Sequence, residues 1–160
     1  MVDVSRKPET ERLAVAGGSV QVKPATITLI KDKALPKGDV FAVARVAGIM
    51  AAKKAPEIIP LCHPLAITSV MVDLSLNEEK SRIDIEARVK TLGRTGVEME
   101  ALTAVAAAAL AVYDMCKAVD KEMTISDIML MEKSGGRSGE FRRSASRVSR
   151  KTAAKESPKK

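Results

Sequence analysis

The chain has few of the residues that cross-link a small protein or bind metals. Among 160 residues, Cys62 and Cys116 are the only cysteines and His63 is the only histidine. Two cysteines so far apart do not indicate a disulfide framework, so we expect both thiols to be free. One histidine beside one cysteine supplies too few ligands for a metal ion. We therefore predict no metal site, and we expect chemistry that needs no cofactor.

Long apolar runs are also missing. The sequence has no uninterrupted apolar stretch of the roughly 20 residues that cross a bilayer, and its opening residues 1–5 (MVDVS) are not an apolar signal region. With 46% of its residues apolar, the chain can bury one core. We expect a single cytoplasmic domain with no membrane contact.

The excess of positive charge is confined to one end of the chain. Residues 142–160 hold eight Arg or Lys and one Glu, which accounts for the whole net charge of +7. Residues 1–141 therefore carry no net charge, so nucleic acid is not the expected partner of the domain. Because residues 142–160 have little apolar bulk, we predict a disordered basic tail. The tail is either a weak electrostatic arm for RNA or another polyanion, or a solubilising extension.

Hydrophobic periodicity predicts mixed secondary structure in the first third of the chain. Residues 11–22 are typical of a strand, interrupted at the pair Gly17 and Gly18, and Pro24 can open a short helix. Asp39 has the position of an N-cap for a second helix, which ends before Pro56.

The remaining elements complete an α+β fold. Residues 66–76 and 82–92 alternate between apolar and polar side chains, which predicts the two strands of a hairpin. A long helix over 95–119 and a last strand over 123–131 follow. The order strand, helices, strand, strand, helix, strand predicts a ferredoxin-like sandwich, with helices on one face of a mainly antiparallel sheet.

The helix predicted over 95–119 has no polar face along its middle. Such a helix is buried in a core or against another subunit. One sheet is too small to cover it, so we predict a homo-oligomer.

Ionisable residues lie only near the two ends of that helix. Asp114 and Lys117 are three residues apart, so they form either an acid/base couple or an ordinary surface ion pair. Glu98 has the spacing of a capping box with Thr95, which gives it a structural role. Glu100 has no such role, and it either reaches solvent or meets a ligand. Glu100 and Asp114 are ~21 Å apart along one helix, so a shared site requires two antiparallel copies.

Three further segments carry candidate binding groups. His63 could bind a phosphate or a base, or move a proton, or it could be an ordinary surface histidine. Lys37 precedes a helix N-terminus and could grip a phosphate, or be simply solvated. The loop 133–139 (KSGGRSG) suits a phosphate, although it could equally be a flexible exit from the last strand. It is not a Walker A loop, because Lys133 precedes the glycines.

These separate features occur together in one known family. The chain resembles the MoaC family of cyclic pyranopterin monophosphate synthases over nearly all of residues 1–141. The blocks that carry the resemblance are MVDVS (1–5), KGDVFAVARVAGI (37–49), IPLCHPL (59–65), TGVEMEALTA (95–104), YDMCKAV (113–119) and KSGGRSG (133–139).

The resemblance implies an activity and an assembly. The family converts 3′,8-cyclo-7,8-dihydro-GTP to cyclic pyranopterin monophosphate and pyrophosphate, a phosphorus–oxygen lyase step of molybdenum cofactor biosynthesis. It assembles as a hexamer of three dimers with active sites at the dimer interface. We therefore expect residues 1–141 to be one catalytic domain and the partner to be a nucleotide substrate.

The resemblance also assigns residues to roles. Asp114 and Lys117 match the catalytic pair of the family. The matched substrate-binding residues are Leu61, Cys62, His63, Met99 and Glu100, followed by the further pocket positions Lys37, Arg12, Glu98 and Lys133. An inactive paralogue, or a non-catalytic nucleotide-binding or RNA-binding protein that uses the tail, is the alternative.

Overall fold

The computed structural model of the protein describes residues 1–144. The helices and strands follow the order that the sequence predicts, with one short helix added before the second strand and one short strand added at the end. They are β1 (Thr10–Gln21), α1 (Pro24–Lys31), α2 (Val40–Lys53), α3 (Ala55–Ile58), β2 (Ile67–Asn77), β3 (Arg82–Gly93), α4 (Glu98–Cys116), β4 (Thr124–Ser134) and β5 (Phe141–Arg142).

The strands form one antiparallel sheet in the order β2-β3-β1-β4-β5. The first four strands and the helices between them follow the ferredoxin-like pattern, so the predicted α+β fold class is confirmed. β1 runs without a break through Gly17 and Gly18, where an interruption was predicted. Instead, its register with β4 shifts at this point, which is the signature of a bulge.

The helix starts show where local sequence signals hold. Asp39 is the N-cap of α2, and its carboxylate accepts a hydrogen bond from Ala42 N at 3.0 Å, as predicted. The prediction of a capping box at the start of α4 is wrong, because the N-cap is Val97 and no side chain caps this end. Glu98 instead forms an ion pair with Lys133 on β4 at 3.1 Å.

Two glycines allow α4 to lie close to its neighbours. A Cβ atom on Gly48 of α2 would lie 2.9 Å from the backbone oxygen of Ala104, and one on Gly18 of β1 would lie 2.7 Å from Val105 Cγ1. Both distances are too short for a real side chain, so glycine at these positions sets the separation of α4 from α2 and from the sheet.

A single subunit covers only part of the surface of α4. The fully buried side chains include Ala101, Ala104, Val105, Ala108, Ala109 and Val112, which face the sheet and α2. Leu110 is 62% exposed on the opposite side, so of the two predicted alternatives the core of one subunit does not bury the whole helix. By length and composition α4 is apolar enough to cross a membrane, but half of it is buried inside the domain, as in the core helix of a soluble fold.

Asp120 anchors the chain just after α4. Its carboxylate is buried and accepts hydrogen bonds from Lys23 N at 2.8 Å, Thr26 Oγ1 at 3.1 Å and Glu122 N at 3.2 Å. Burial alone would raise the pKa of Asp120, but these hydrogen bonds lower it below its ordinary value. This carboxylate therefore fixes the far end of α4 against the start of α1.

β5 includes Arg142, the first residue of the predicted basic tail. Arg142 of β5 is the register partner of Glu132 on β4. Arg143 donates hydrogen bonds from its backbone N–H to Met131 O and from its Nε to Leu130 O, each at 2.8 Å. We predict disorder for residues 142–160. Residues 145–160 lie outside the described residues, so the disorder of the tail stays a prediction.

Candidate functional site

The far end of α4 holds a carboxylate between two ammonium groups. Lys117 Nζ lies 2.7 Å from Asp114 Oδ1, and Lys37 Nζ lies 2.6 Å from Asp114 Oδ2. Lys37 also donates to the backbone oxygen of Asp114 at 3.0 Å. Hydrogen bonds from Lys117 and then Lys37 lower the pKa of Asp114 to about 2. The carboxylate is therefore fully ionised at neutral pH.

This triad is exposed in the single chain, although its neighbours in sequence are largely apolar. The Asp114 side chain is 54% exposed, whereas Met115 and Cys116 point into the core. Successive residues of a helix face different directions, so apolar neighbours in sequence do not bury a side chain.

The near end of α4 holds the opposite kind of carboxyl group. Glu100 is only 1% exposed, so of the two predicted alternatives it does not reach solvent. Its Oε1 accepts a hydrogen bond from Cys62 Sγ at 3.5 Å, whereas its Oε2 is buried and has no partner within residues 1–144. Burial raises the pKa of Glu100 above its ordinary value. Burial, followed by the charge of Glu100, also raises the pKa of Cys62 to about 11, so its thiol stays protonated.

A cation-rich cleft lies next to this end of α4. We call it the cationic cleft; its volume is about 520 Å³. It is lined by one carboxylate, Glu98, and by five basic side chains, which are Lys7, Arg12, Arg94, Lys133 and Arg137. Five cations against one anion make the cleft suited to a polyanion such as a di- or triphosphate.

The predicted Gly-rich loop forms one wall of the cationic cleft. Gly135 and Gly136 have φ values of 96° and 75°, and a Cβ atom on Gly136 would overlap the guanidinium of Arg12. Arg12 is itself buried, and its Nε donates to the backbone oxygen of Gly93 at 3.3 Å. The glycines thus give room for an arginine, and the loop is more than an exit from the last strand.

His63 and Leu61 line a second cleft of about 490 Å³. We call it the histidine cleft; it shares Lys7 and Thr95 with the cationic cleft. His63 Nε2 lies 2.8 Å from the backbone oxygen of Val2, and Leu61 is 71% exposed. The two clefts are therefore neighbours beside the start of α4.

The structure divides the predicted site residues into two groups. Lys133 and the segments that hold Cys62, His63 and Glu100 gather near the start of α4, and half-buried Met99 lies in the first turn of that helix. Lys37, Asp114 and Lys117 gather at its far end. Since 14 residues of helix separate Glu100 from Asp114, the groups lie ~21 Å apart along α4. One chain does not bring them together.

Sequence reasoning missed two cations of the cationic cleft. Arg94 follows β3 and directly precedes Thr95, so its position in the sequence could have placed it near the start of α4. Lys7 lies in the segment before β1, and no sequence pattern links that segment to the site.

Comparisons with known proteins identify the family to which the chain is similar. Residues 1–136 match the family described as "MoaC family". The chain is 64% identical over 143 residues to the cyclic pyranopterin monophosphate synthase of Thermomicrobium roseum, covering 89% of this chain and 86% of that protein. It is 62% identical over 143 residues to the enzyme of the same name from Pelotomaculum thermopropionicum, covering 89% and 84%.

A third relative is similar to nearly the same extent. The protein named cyclic pyranopterin monophosphate synthase 1 of Mycobacterium bovis is 61% identical over 146 residues, covering 91% of this chain and 85% of that protein. With a family match over most of its length and relatives at this level of identity, the chain belongs to the MoaC family.

Proposed function

We propose that the protein is a cyclic pyranopterin monophosphate synthase. It converts 3′,8-cyclo-7,8-dihydro-GTP to cyclic pyranopterin monophosphate with release of pyrophosphate, in molybdenum cofactor biosynthesis. The observation that carries the proposal is that both clusters of ionisable residues occur in a chain 64% identical to a protein of that name.

The reaction opens a purine ring, closes a pyrazine ring and forms a cyclic phosphate. Each step moves protons on or off nitrogen and oxygen, so the site needs groups in both protonation states. Asp114 is an ionised carboxylate between two ammonium groups, whereas Glu100 is buried with its pKa raised. We assign Asp114 and Lys117 to proton transfer, and Glu100, Cys62 and His63 to binding and orienting the ring system.

The cationic cleft takes the triphosphate. Loss of pyrophosphate places additional negative charge on the leaving oxygens, so Lys133 and Arg137 stabilise the transition state more than the bound substrate. Besides binding a substrate phosphate, Lys37 positions Asp114 in the free chain, where Lys37 Nζ lies 2.6 Å from Asp114 Oδ2. When Lys37 turns to a substrate phosphate, Asp114 loses one of its two cations and becomes a stronger base.

A complete site requires two subunits. Two antiparallel copies of α4 bring the start of one helix, with Glu100, beside the end of the other, with Asp114. The exposed Leu110 on α4 gives such pairing an apolar surface. We propose a hexamer of three such dimers, located in the cytoplasm.

Two inactive variants test the shared site. Glu100→Gln and Asp114→Asn are each expected to lose activity, but a mixed dimer retains one intact site made from the two unmutated ends. Equal co-expression should therefore restore about a quarter of wild-type pyrophosphate release, since half the dimers are mixed and each has one active site.

The matched control pairs two variants of the same cluster. Co-expressed Asp114→Asn and Lys117→Ala leave no dimer with an intact far-end cluster, so no activity should return. If the Glu100→Gln and Asp114→Asn mixture stays as inactive as this control, the two-subunit site is refuted. If the wild-type protein releases no pyrophosphate from the cyclised GTP intermediate, the proposed activity itself is refuted.

A further inference from the structure

The segment before β1 lies across the candidate site. We call residues 1–9 the strap; it has no helix or strand. Two backbone oxygens hold it to groups near the start of α4. Val2 O lies 2.8 Å from His63 Nε2, and Ser5 O accepts a hydrogen bond from Arg94 Nη1 at 3.0 Å. An ion pair between Arg94 and Glu9 at 3.7 Å adds a third contact.

These contacts place Lys7 at the junction of the two clefts. Lys7 and Thr95 are the two residues that line both the cationic cleft and the histidine cleft. A backbone turn fixes the position of Lys7, since its N–H donates to Val4 O at 3.0 Å. Its side chain is half-buried, although a lysine on a chain segment without secondary structure would ordinarily extend into water.

Charge balance at the cleft indicates an anion beside Lys7. Lys133 has a carboxylate partner in Glu98, and Arg94 has one in Glu9. Within residues 1–144, Lys7 forms no ion pair, although it lines the same cleft as Arg94 and Lys133. Lys7 is therefore a cation of the cleft whose charge no carboxylate of the described residues balances, so an anionic ligand can pair with it.

We propose that Lys7 is a further substrate-binding residue, which the strap delivers to the phosphate end of the site. The inference rests on the proposed function for the identity of the substrate. Lys7 contacts the phosphate chain where the cationic cleft meets the histidine cleft, so it bridges the triphosphate and the part of the substrate near His63. In the free protein the Val2 oxygen is the hydrogen-bond partner of His63 Nε2. Substrate replaces the Val2 oxygen at this nitrogen when it binds.

Calorimetric titration with inorganic pyrophosphate tests this role without any turnover. Lys7→Met removes the charge and keeps the length of the side chain, so the dissociation constant for pyrophosphate should rise about tenfold. Lys7→Arg should restore affinity to within about threefold of wild type, because a guanidinium also binds phosphate. The matched control is Lys53→Met, which removes an exposed lysine from α2 outside both clefts and should leave the constant unchanged.

Steady-state kinetics adds a reading that a merely structural role would not give. A residue that holds the phosphates equally in the ground state and the transition state changes KM more than kcat, so Lys7→Met should raise KM about tenfold with kcat within about threefold. The thermal midpoint should match that of Lys53→Met.

The outcomes separate this inference from the proposed function. Equal pyrophosphate affinity in wild type and Lys7→Met, or no affinity in wild type, overturns the role of Lys7. Loss of affinity in both Lys7→Met and Lys7→Arg also overturns it, because the charge would then not be what matters. Failure of wild type to process the cyclised GTP intermediate refutes the proposed function and leaves the pyrophosphate result standing.

Discussion

Lys37 and Asp114 are 77 positions apart in sequence, yet Lys37 Nζ contacts both the side chain of Asp114, at 2.6 Å, and its backbone oxygen, at 3.0 Å. A single ammonium therefore joins the loop before α2 to the last turn of α4. It also satisfies a carbonyl at a helix C-terminus, where cations are favoured. The candidate catalytic carboxylate is thus fixed in position before substrate arrives.

Removing the charge of Asp114 should abolish turnover and leave the fold intact. Asp114→Asn and Lys117→Ala should each lower kcat by about 10²–10⁴-fold, the range for loss of a proton-transfer group. The thermal midpoint should change little, because the pair is exposed and such ion pairs contribute little to stability. Pyrophosphate release and thermal melting are the measurements.

Asp73→Asn is the control for the Asp114 variant. Asp73 is exposed on β2, so the same chemical change should leave activity unaltered. Full pyrophosphate release by Asp114→Asn would contradict the assignment of the catalytic pair.

Replacing Glu100 should stabilise the protein at neutral pH while removing its activity. Because burial raises the pKa of Glu100, the stability that this group contributes is present below its ordinary pKa of 4.5 and is lost as pH rises through the folded-state pKa. Glutamine cannot ionise, so the free energy of unfolding of Glu100→Gln should exceed that of wild type by about 1 kcal/mol at pH 7.

Denaturant unfolding at several pH values from 4 to 8 checks this direction. The difference between Glu100→Gln and wild type should grow with pH, and kcat/KM should fall at every pH. If Glu100→Gln is less stable than wild type by the same amount at pH 7 and at pH 4, the pKa of Glu100 is not raised by burial.

Closing the space between α2 and α4 should destabilise the fold. Alanine is a better helix former than glycine by about 0.5–1 kcal/mol, but a Cβ atom on Gly48 would lie 2.9 Å from the Ala104 oxygen, where rigid backbone must move. We expect Gly48→Ala to lower the free energy of unfolding by about 1–2 kcal/mol in urea denaturation.

Gly17→Ala is the matched control for that variant. A Cβ atom on Gly17 would lie 3.3 Å from Met131 Cγ, part of a flexible side chain that can move aside. Its free energy of unfolding should therefore stay within about 0.5 kcal/mol of wild type. If both variants lose the same free energy of unfolding, the contact of α2 with α4 at Gly48 is no tighter than the contact of Gly17 with Met131.

Deleting residues 145–160 separates the enzyme from a tail-dependent binding protein. The deletion begins after Ser144, so the strand pairing of β5 with β4 and the hydrogen bonds of Arg143 are kept. The enzyme reading predicts unchanged kcat and KM for pyrophosphate release. Loss of nucleotide or RNA binding together with absence of turnover in the full chain would favour the tail-dependent alternative.

The features that sequence predicted well are those that neighbouring residues determine. Asp39 caps α2 through an amide three residues away, and the alternation in β2 and β3 fixes which side chains face the core. The capping box at Glu98 failed because Lys133, distant in sequence, offers an ion pair that competes with the local hydrogen bond. β5 was missed because two residues are too few for a periodic pattern.

The candidate site shows the same division. The positions of Asp114, Lys117 and Glu100 on one helix follow from spacing, but their opposite exposures depend on how α4 is rotated against the sheet. Lys7 joins the cationic cleft only through tertiary contacts, for which the sequence offers no periodic signal.

The contact between Gly136 and Arg12 limits how this protein can diverge. A methyl group at position 136 would occupy the volume of the guanidinium, and the left-handed backbone there already disfavours a side chain. Gly136 can therefore be replaced during evolution only if Arg12 is replaced with it. A related sequence that has replaced this glycine with a larger residue should also have lost the arginine, and with it one of the positive charges available to a phosphate.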